Sequence, residues 1–393
     1  MSKSRTVRTL LFTGPGGAGA TTLASAAAVR AARSGRRTLL LSRQAPPVPG
    51  LDAVPGLELA AVDGRSALEQ HWDGVSEAVA AVVPDLTLPP ASSVLPLPGT
   101  VELALFAALA DADADLVVVD AGPIEAAAAL LALPTTLRWW LDQLLPPGLR
   151  ALSAVRTAAV TFGAARRGPV DLALAAVPVV EGLLARDRLT DAGDTAVCLV
   201  APPRPEAGAR LRAAATLLGL HGLQTAAVLA RTLPADGPGA WWSARAAAQE
   251  AALADFRTVA PVHPVPEGAT APEDPDGLAD LLETFELPTA GGPVPPGPER
   301  REGEWRLTVP LPFADRPAVE LTRWQDDLVV TAHGTRRCLR LDPLLRRCQV
   351  TGGRLTDPGT PEARLEISFR PDPQLWPADL LSADLLPAEE RTS

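Results

Sequence analysis

Nine residues near the start of the chain, GPGGAGATT at positions 14–22, have the composition and spacing of a loop that cradles phosphate. In such a loop successive backbone N–H groups wrap the phosphate oxygens. A lysine adds charge at the terminal phosphates, and a hydroxyl holds Mg²⁺. Gly14, Gly16, Gly17 and Gly19 keep the backbone part, and Thr21 and Thr22 close the motif with Thr21 where the metal ligand belongs. The pattern G-x-x-x-x-G-K-[ST] is met everywhere except at the lysine, which is Ala20. A tight glycine turn is the plainer alternative, but four glycines in register with two threonines exceed what a turn requires. Asp120 closes the apolar run LVVVD at 116–120, in place for a metal-facing carboxylate or, equally, for an acid capping a turn. No metal-ligand spacing competes with these: His71, His221, His263 and His333 are scattered, and Cys198, Cys338 and Cys348 form no C-x-x-C pair.

The elements that must hold these residues are legible in the apolar runs. Residues 6–13 (TVRTLLFT) read as a buried strand running into the glycine loop. Residues 21–33 form an Ala-rich helix that stops at Ser34-Gly35, and 37–42 (RTLLLS) form a second strand, which completes one βαβ unit. Further strands are expected at 116–120, 196–201 and 225–230, with helices at 206–218 and 241–257. Residues 125–190 form a helical insertion, expected to be cut into short helices by Pro134, Pro146, Pro147, Pro169 and Pro178. The fold class is therefore a doubly wound, mostly parallel α/β sheet with that insertion. A Pro/Gly linker at 288–303 separates this domain, 1–287, from a different texture at 304–372. There, six short alternating runs predict a small antiparallel all-β sandwich, with Cys338 and Cys348 on neighbouring strands. An acidic, Pro-rich tail occupies 373–393.

Composition narrows the function. The 36 basic residues include a single lysine, Lys3, and the net charge is −10, which argues against a nucleic-acid binder. The 41 prolines in 393 residues are about twice the usual level of roughly 5%. With 47% hydrophobic residues the chain can bury a sizeable core. The N-terminus lacks the apolar core of a signal peptide, and no run approaches the ~20 residues of a membrane span. A cytoplasmic location is expected.

The order of motifs resembles the ArsA family of arsenite-pump and tail-anchored-protein-targeting ATPases. Residues 14–22 resemble its loop GKGGVGKTT, and DAGPIEA at 120–126 its DTAPTGH switch. LALPTTLRWWLDQLL at 131–145 is similar to the segment after that switch, and AVLARTLP at 227–234 to its base-binding VVANRVLP. WRLTVPLPFADR, LVVTAHGTRRCLRLDPLLRRC and LEISFRPDP resemble the small-heat-shock-protein-like domain that ends actinobacterial members. The resemblance implies a dimerising nucleotide-binding protein with Mg²⁺ held at Thr21 and Asp120, and with Pro123 and position 230 beside the nucleotide.

The departures fall on the catalytic positions. The lysine that crosses the family's dimer aligns with Pro15, the loop lysine with Ala20, and the water-orienting Asp with Gln44. The switch Gly-His is Glu125-Ala126, and the adenine-reading Asn is Ala230. Glu125 would repel phosphate or simply cap the following helix. Each lost charge-assisted contact is worth about 1.5–3 kcal/mol, so a degenerate site with no cofactor, or weakly held Mg-ATP, is expected. The corresponding function is a pseudo-ATPase that acts as a non-catalytic half of a homodimer or of a heterodimer with an intact paralogue, or as a chaperone-like scaffold for hydrophobic clients. The alternative is a working ATPase that uses unconventional residues. Arg166 and Arg167 read as solvated surface or as a replacement phosphate contact, and Trp139, Trp140, Trp241 and Trp242 as contact aromatics or partly buried packing. Peripheral membrane contact stays open.

Overall fold

In a strand, alternate side chains point to opposite faces, so a run that is apolar at every position needs cover on both sides. The computed structural model, which describes residues 7–46, 48–80, 87–144, 169–234, 237–289, 292, 297–301 and 304–376, provides that cover. Strands β1 (Thr9–Gly14), β2 (Thr38–Ser42), β3 (Leu57–Ala61), β4 (Leu116–Pro123), β5 (Thr195–Ala201), β6 (Thr225–Thr232) and β7 (Val262–Pro266) form one seven-stranded sheet ordered β3-β2-β4-β1-β5-β6-β7. The ladders within it are parallel. Leu10 and Phe12 of β1 join a core on one face with helix α1 (Ala20–Arg33), whereas Leu11 joins the core on the other. Six of the fourteen residues of α1 are buried alanines, which lets its backbone lie close to the sheet.

Helices α2 (Gly64–Ala80), α3 (Thr100–Asp111), α4 (Ile124–Leu144) and α5 (Pro169–Ala185) precede β5. Helices α6 (Pro205–Leu220), α7 (Gly239–Phe256) and α8 (Pro275–Asp280) complete the domain. The expected proline breaks are corrected at two positions: α4 runs through Pro134 and α5 through Pro178. Tertiary burial overrides the local preference at Pro134, where Leu130, Leu131 and Pro134 itself are buried, and Thr135 and Thr136 both donate hydroxyls to the Ala132 carbonyl. Pro169 opens α5, a position proline favours. Pro146 and Pro147 lie outside the described residues, as do Arg166 and Arg167.

The C-terminal runs pair as two antiparallel sheets, β10 (Val319–Trp324)–β11 (Asp327–Ala332)–β12 (Thr335–Arg340) and β13 (Cys348–Thr356)–β14 (Arg364–Pro371)–β9 (Glu304–Pro310)–β8 (Glu299–Arg301). Strand β8 falls within the stretch read as linker. Cys338 and Cys348 are not on neighbouring strands, because the short helix α9 (Pro343–Arg346) carries the chain from one sheet to the other between them. Both are free thiols, and burial pushes Cys338 up to about 12.

The sandwich is docked on the α/β domain. Leu220, the last residue of α6, belongs to the sandwich core with Leu328, Ile367 and Phe369. The Thr216 hydroxyl donates to the Pro312 carbonyl, and Arg337 on β12 donates to the Leu220 carbonyl. Arg340 pairs with Asp142 of α4 at 2.6 Å.

Candidate functional site

Strand β1 lies between β4 and β5, where the winding of the sheet changes direction, and its C-terminal end opens into a crevice suited to a ligand. Gly14 is required by that position: a Cβ there would collide with the Val200 carbonyl of β5. The chain then turns tightly, with Ala18 donating its N–H to the Pro15 carbonyl at 3.0 Å. Gly17 (φ +78°) and Gly19 (φ +91°) take left-handed conformations that side chains disfavour. Gly19 is the N-cap of α1 and offers no side-chain cap; the bond from Leu23 N–H to Gly19 carbonyl begins the helix. The N–H groups of the first turn therefore remain for a ligand in front of the helix, at its positive end.

In front of that turn lies a cavity of about 480 Å³ lined by the whole of residues 14–22. Thr21 and Asp120 border it together. Asp120 is 2% exposed, pairs in register with Ser42 and Phe12, and accepts the Gly122 N–H at 3.1 Å. The Thr13 hydroxyl donates to the Gly122 carbonyl at 2.9 Å and ties β1 to the turn after β4. This donor set, one buried carboxylate and one hydroxyl beside free backbone N–H groups, fits a Mg²⁺ that also takes phosphate oxygens and water. Pro123 lines the cavity as well, opposite Gly14 in the ladder.

Two arginines that the sequence reading did not single out shape the site. Arg43 enters the cavity and pairs with Glu102 of α3 at 2.8 Å, with both side chains largely shielded. Its path depends on Gly122: a Cβ there would stand 2.9 Å from Arg43 Cδ, and the φ of +74° already disfavours one. Beside it Gln44 lies exposed at the rim, its carbonyl accepting the Ser42 hydroxyl at 2.6 Å while its amide makes no hydrogen bond among the described residues.

Arg231 follows Ala230 at the end of β6. Ala230 is fully buried in the core and does not line the cavity. Arg231 reaches back to the loop, where a Cβ on Gly19 would stand 2.6 Å from its Nη1. Its Nε is buried without a partner among the described residues.

Glu125 sits exposed in the first turn of α4, where the helix dipole favours an acid. It borders a second cavity of about 620 Å³ in which Pro15 and Gly16 face His333 and Thr335 of the sandwich. Trp139 stacks edge-on against Trp140 at 4.9 Å. Trp140 is 50% exposed and Trp241 70%, and Leu144 and Val179 are exposed as well. No helix among the described residues is long and apolar enough to cross a membrane.

A family model described as anion-transporting ATPase matches residues 7–258, and one described as an HSP20-like domain found in ArsA matches residues 302–369. An uncharacterised protein of Streptomyces coelicolor is 38% identical, over 94% of this chain and 99% of its own length. A Mycobacterium tuberculosis protein is 30% identical, over 94% of this chain and 97% of its own.

Proposed function

Because the chain belongs to the anion-transporting ATPase (ArsA) family, we propose that it is a pseudo-ATPase of that family, a protein-binding scaffold or non-catalytic dimer partner whose loop still accepts phosphate. The observation that carries this reading is the 480 Å³ cavity, whose wall keeps the loop's four glycines and Thr21 while Pro15 and Ala20 bring no charge. Phosphoryl transfer depends on positioning and on neutralising the transferred group. Here the cation inside the cavity, Arg43, is already engaged by Glu102, and Gln44 is exposed and unanchored, poorly suited to holding a water in line. Thr21 and Asp120 are the residues that would hold Mg²⁺, which supplies charge neutralisation when bound with phosphate. Residues 14–22, Asp120 and Pro123 are thus assigned to a vestigial nucleotide site.

Exposed Trp140, Leu144 and Val179 on the helical insertion support the protein-binding half of the proposal, with a second copy, an intact paralogue or a hydrophobic client as occupant. The domain bounds 1–287 and 304–372 and a cytoplasmic site of action belong to the same reading.

The test is phosphate release from Mg-ATP by the full chain, alongside calorimetry of the chain and of Ala20→Lys. No turnover is expected from the unmodified protein, and the variant should bind Mg-ATP about tenfold tighter or more. Turnover by the unmodified protein overturns the proposal in favour of an ATPase with unconventional residues.

A further inference from the structure

The loop has lost its own lysine, yet the fold brings a different cation to the same glycine. We propose that Arg231, presented from the end of β6, is the side chain that holds phosphate at this loop, so that the site takes the phosphate chain of its ligand rather than a nucleotide base. This rests on the phosphate-accepting cavity proposed above.

Three observations single out Arg231. First, its Nη1 lies against Gly19, a residue of the cavity wall one position before Ala20, where the lost lysine would begin. Second, among the described residues no carboxylate forms an ion pair with its guanidinium, and its Nε is buried and unpartnered. Arg43 differs, since its charge is met by Glu102 at 2.8 Å. Arg204 and Arg210 also stand near Pro15 and Gly16, but they are exposed, bordering a separate cavity of about 250 Å³, and water screens them. Third, Gly19 permits the approach: at φ +91° with Nη1 so near, a side chain there would displace the guanidinium.

The ligand class follows from what surrounds that cation. A planar guanidinium beside free helix N–H groups matches a diphosphate or triphosphate, which it can grip with two parallel bonds. At the neighbouring position, Ala230 is fully buried and its side chain has no polar atom with which to read a base. Inorganic pyrophosphate and the phosphate chain of a nucleotide are therefore equivalent to the site.

Calorimetry on the full chain with Mg²⁺ tests this, using pyrophosphate, ATP and GTP as probes. The variants are Arg231→Ala, Arg231→Lys and, as an exposed control, Arg204→Ala. All three probes should bind the unmodified chain with affinities within about threefold of one another. Arg231→Ala should weaken each by about tenfold to a hundredfold. Arg231→Lys should recover part of that loss, which a purely structural role would not predict, and Arg204→Ala should change little. Unaltered binding by Arg231→Ala overturns the inference, as does binding of ATP without pyrophosphate, or the absence of binding by all three. ATP turnover by the unmodified chain would instead overturn the pseudo-ATPase reading and leave the role of Arg231 to the binding series.

Discussion

His221 sits just beyond the end of α6 at 2% exposure, with both ring nitrogens unpartnered among the described residues. Burial, with Arg337 opposite it, pushes its pKa from 6.5 down to about 3. Between those values the unfolded chain binds the extra proton, so stability falls as pH drops below about 6.5, whereas above it both states are neutral and His221 contributes nothing. Burial and Arg30 lower His263 as well, in the same direction. The urea midpoint should therefore fall between pH 7 and pH 5.5, and His221→Leu should remove much of that fall; an equal fall in the variant would contradict the assignment. At this scale the sequence was only partly legible. The glycines, Thr21 and Asp120 declare themselves by spacing, and the structure gathers them around one cavity. Arg43 does not, because its meaning lies in Glu102, 59 residues away, and in the missing side chain of Gly122. Nor does Arg231, whose approach to Gly19 depends on β6 lying two strands from β1.

Helix α6 shows what an element can and cannot reveal beforehand. Its existence follows from residues 206–218, but its role as a docking surface depends on residues that look unremarkable in sequence. A Cβ on Gly219 would meet Pro312 and stand 2.9 Å from the Pro310 carbonyl. Gly219→Ala should therefore loosen the sandwich at a cost of about 1–3 kcal/mol, seen as a lower urea midpoint and faster proteolysis between residues 288 and 303. Thr216→Val removes the bond to the Pro312 carbonyl and should cost about 1 kcal/mol. Unchanged proteolysis in Gly219→Ala would show that the contact does not govern docking. Apolar runs and turns predicted the main strands well, since their signal is local. Strand β3 escaped because LELAA is a short edge run with little burial beyond Leu57. The continuity of α4 through Pro134 escaped because it is decided by packing outside the helix.

For the whole molecule, the question is whether two textures in sequence make two independent bodies. Inter-domain contacts within one chain commonly resemble transient interfaces, but here Leu220 is fully buried in the sandwich's own core and Arg337 spans the junction. The chain should unfold in a single calorimetric transition, with Gly219→Ala separating it into two; two transitions in the unmodified protein would show that docking is weak. The change of texture near residue 300 correctly announced a second fold, while the shared core gave no sign in the sequence because it joins residues about a hundred positions apart. Such docking also alters what the Pro/Gly stretch before β8 is for. The seat of the sandwich is set by Leu220, by Thr216 with Pro312, and by Arg340 with Asp142. Orientation is then left to those side chains, so the length and composition of the intervening sequence can drift as long as it still spans the gap.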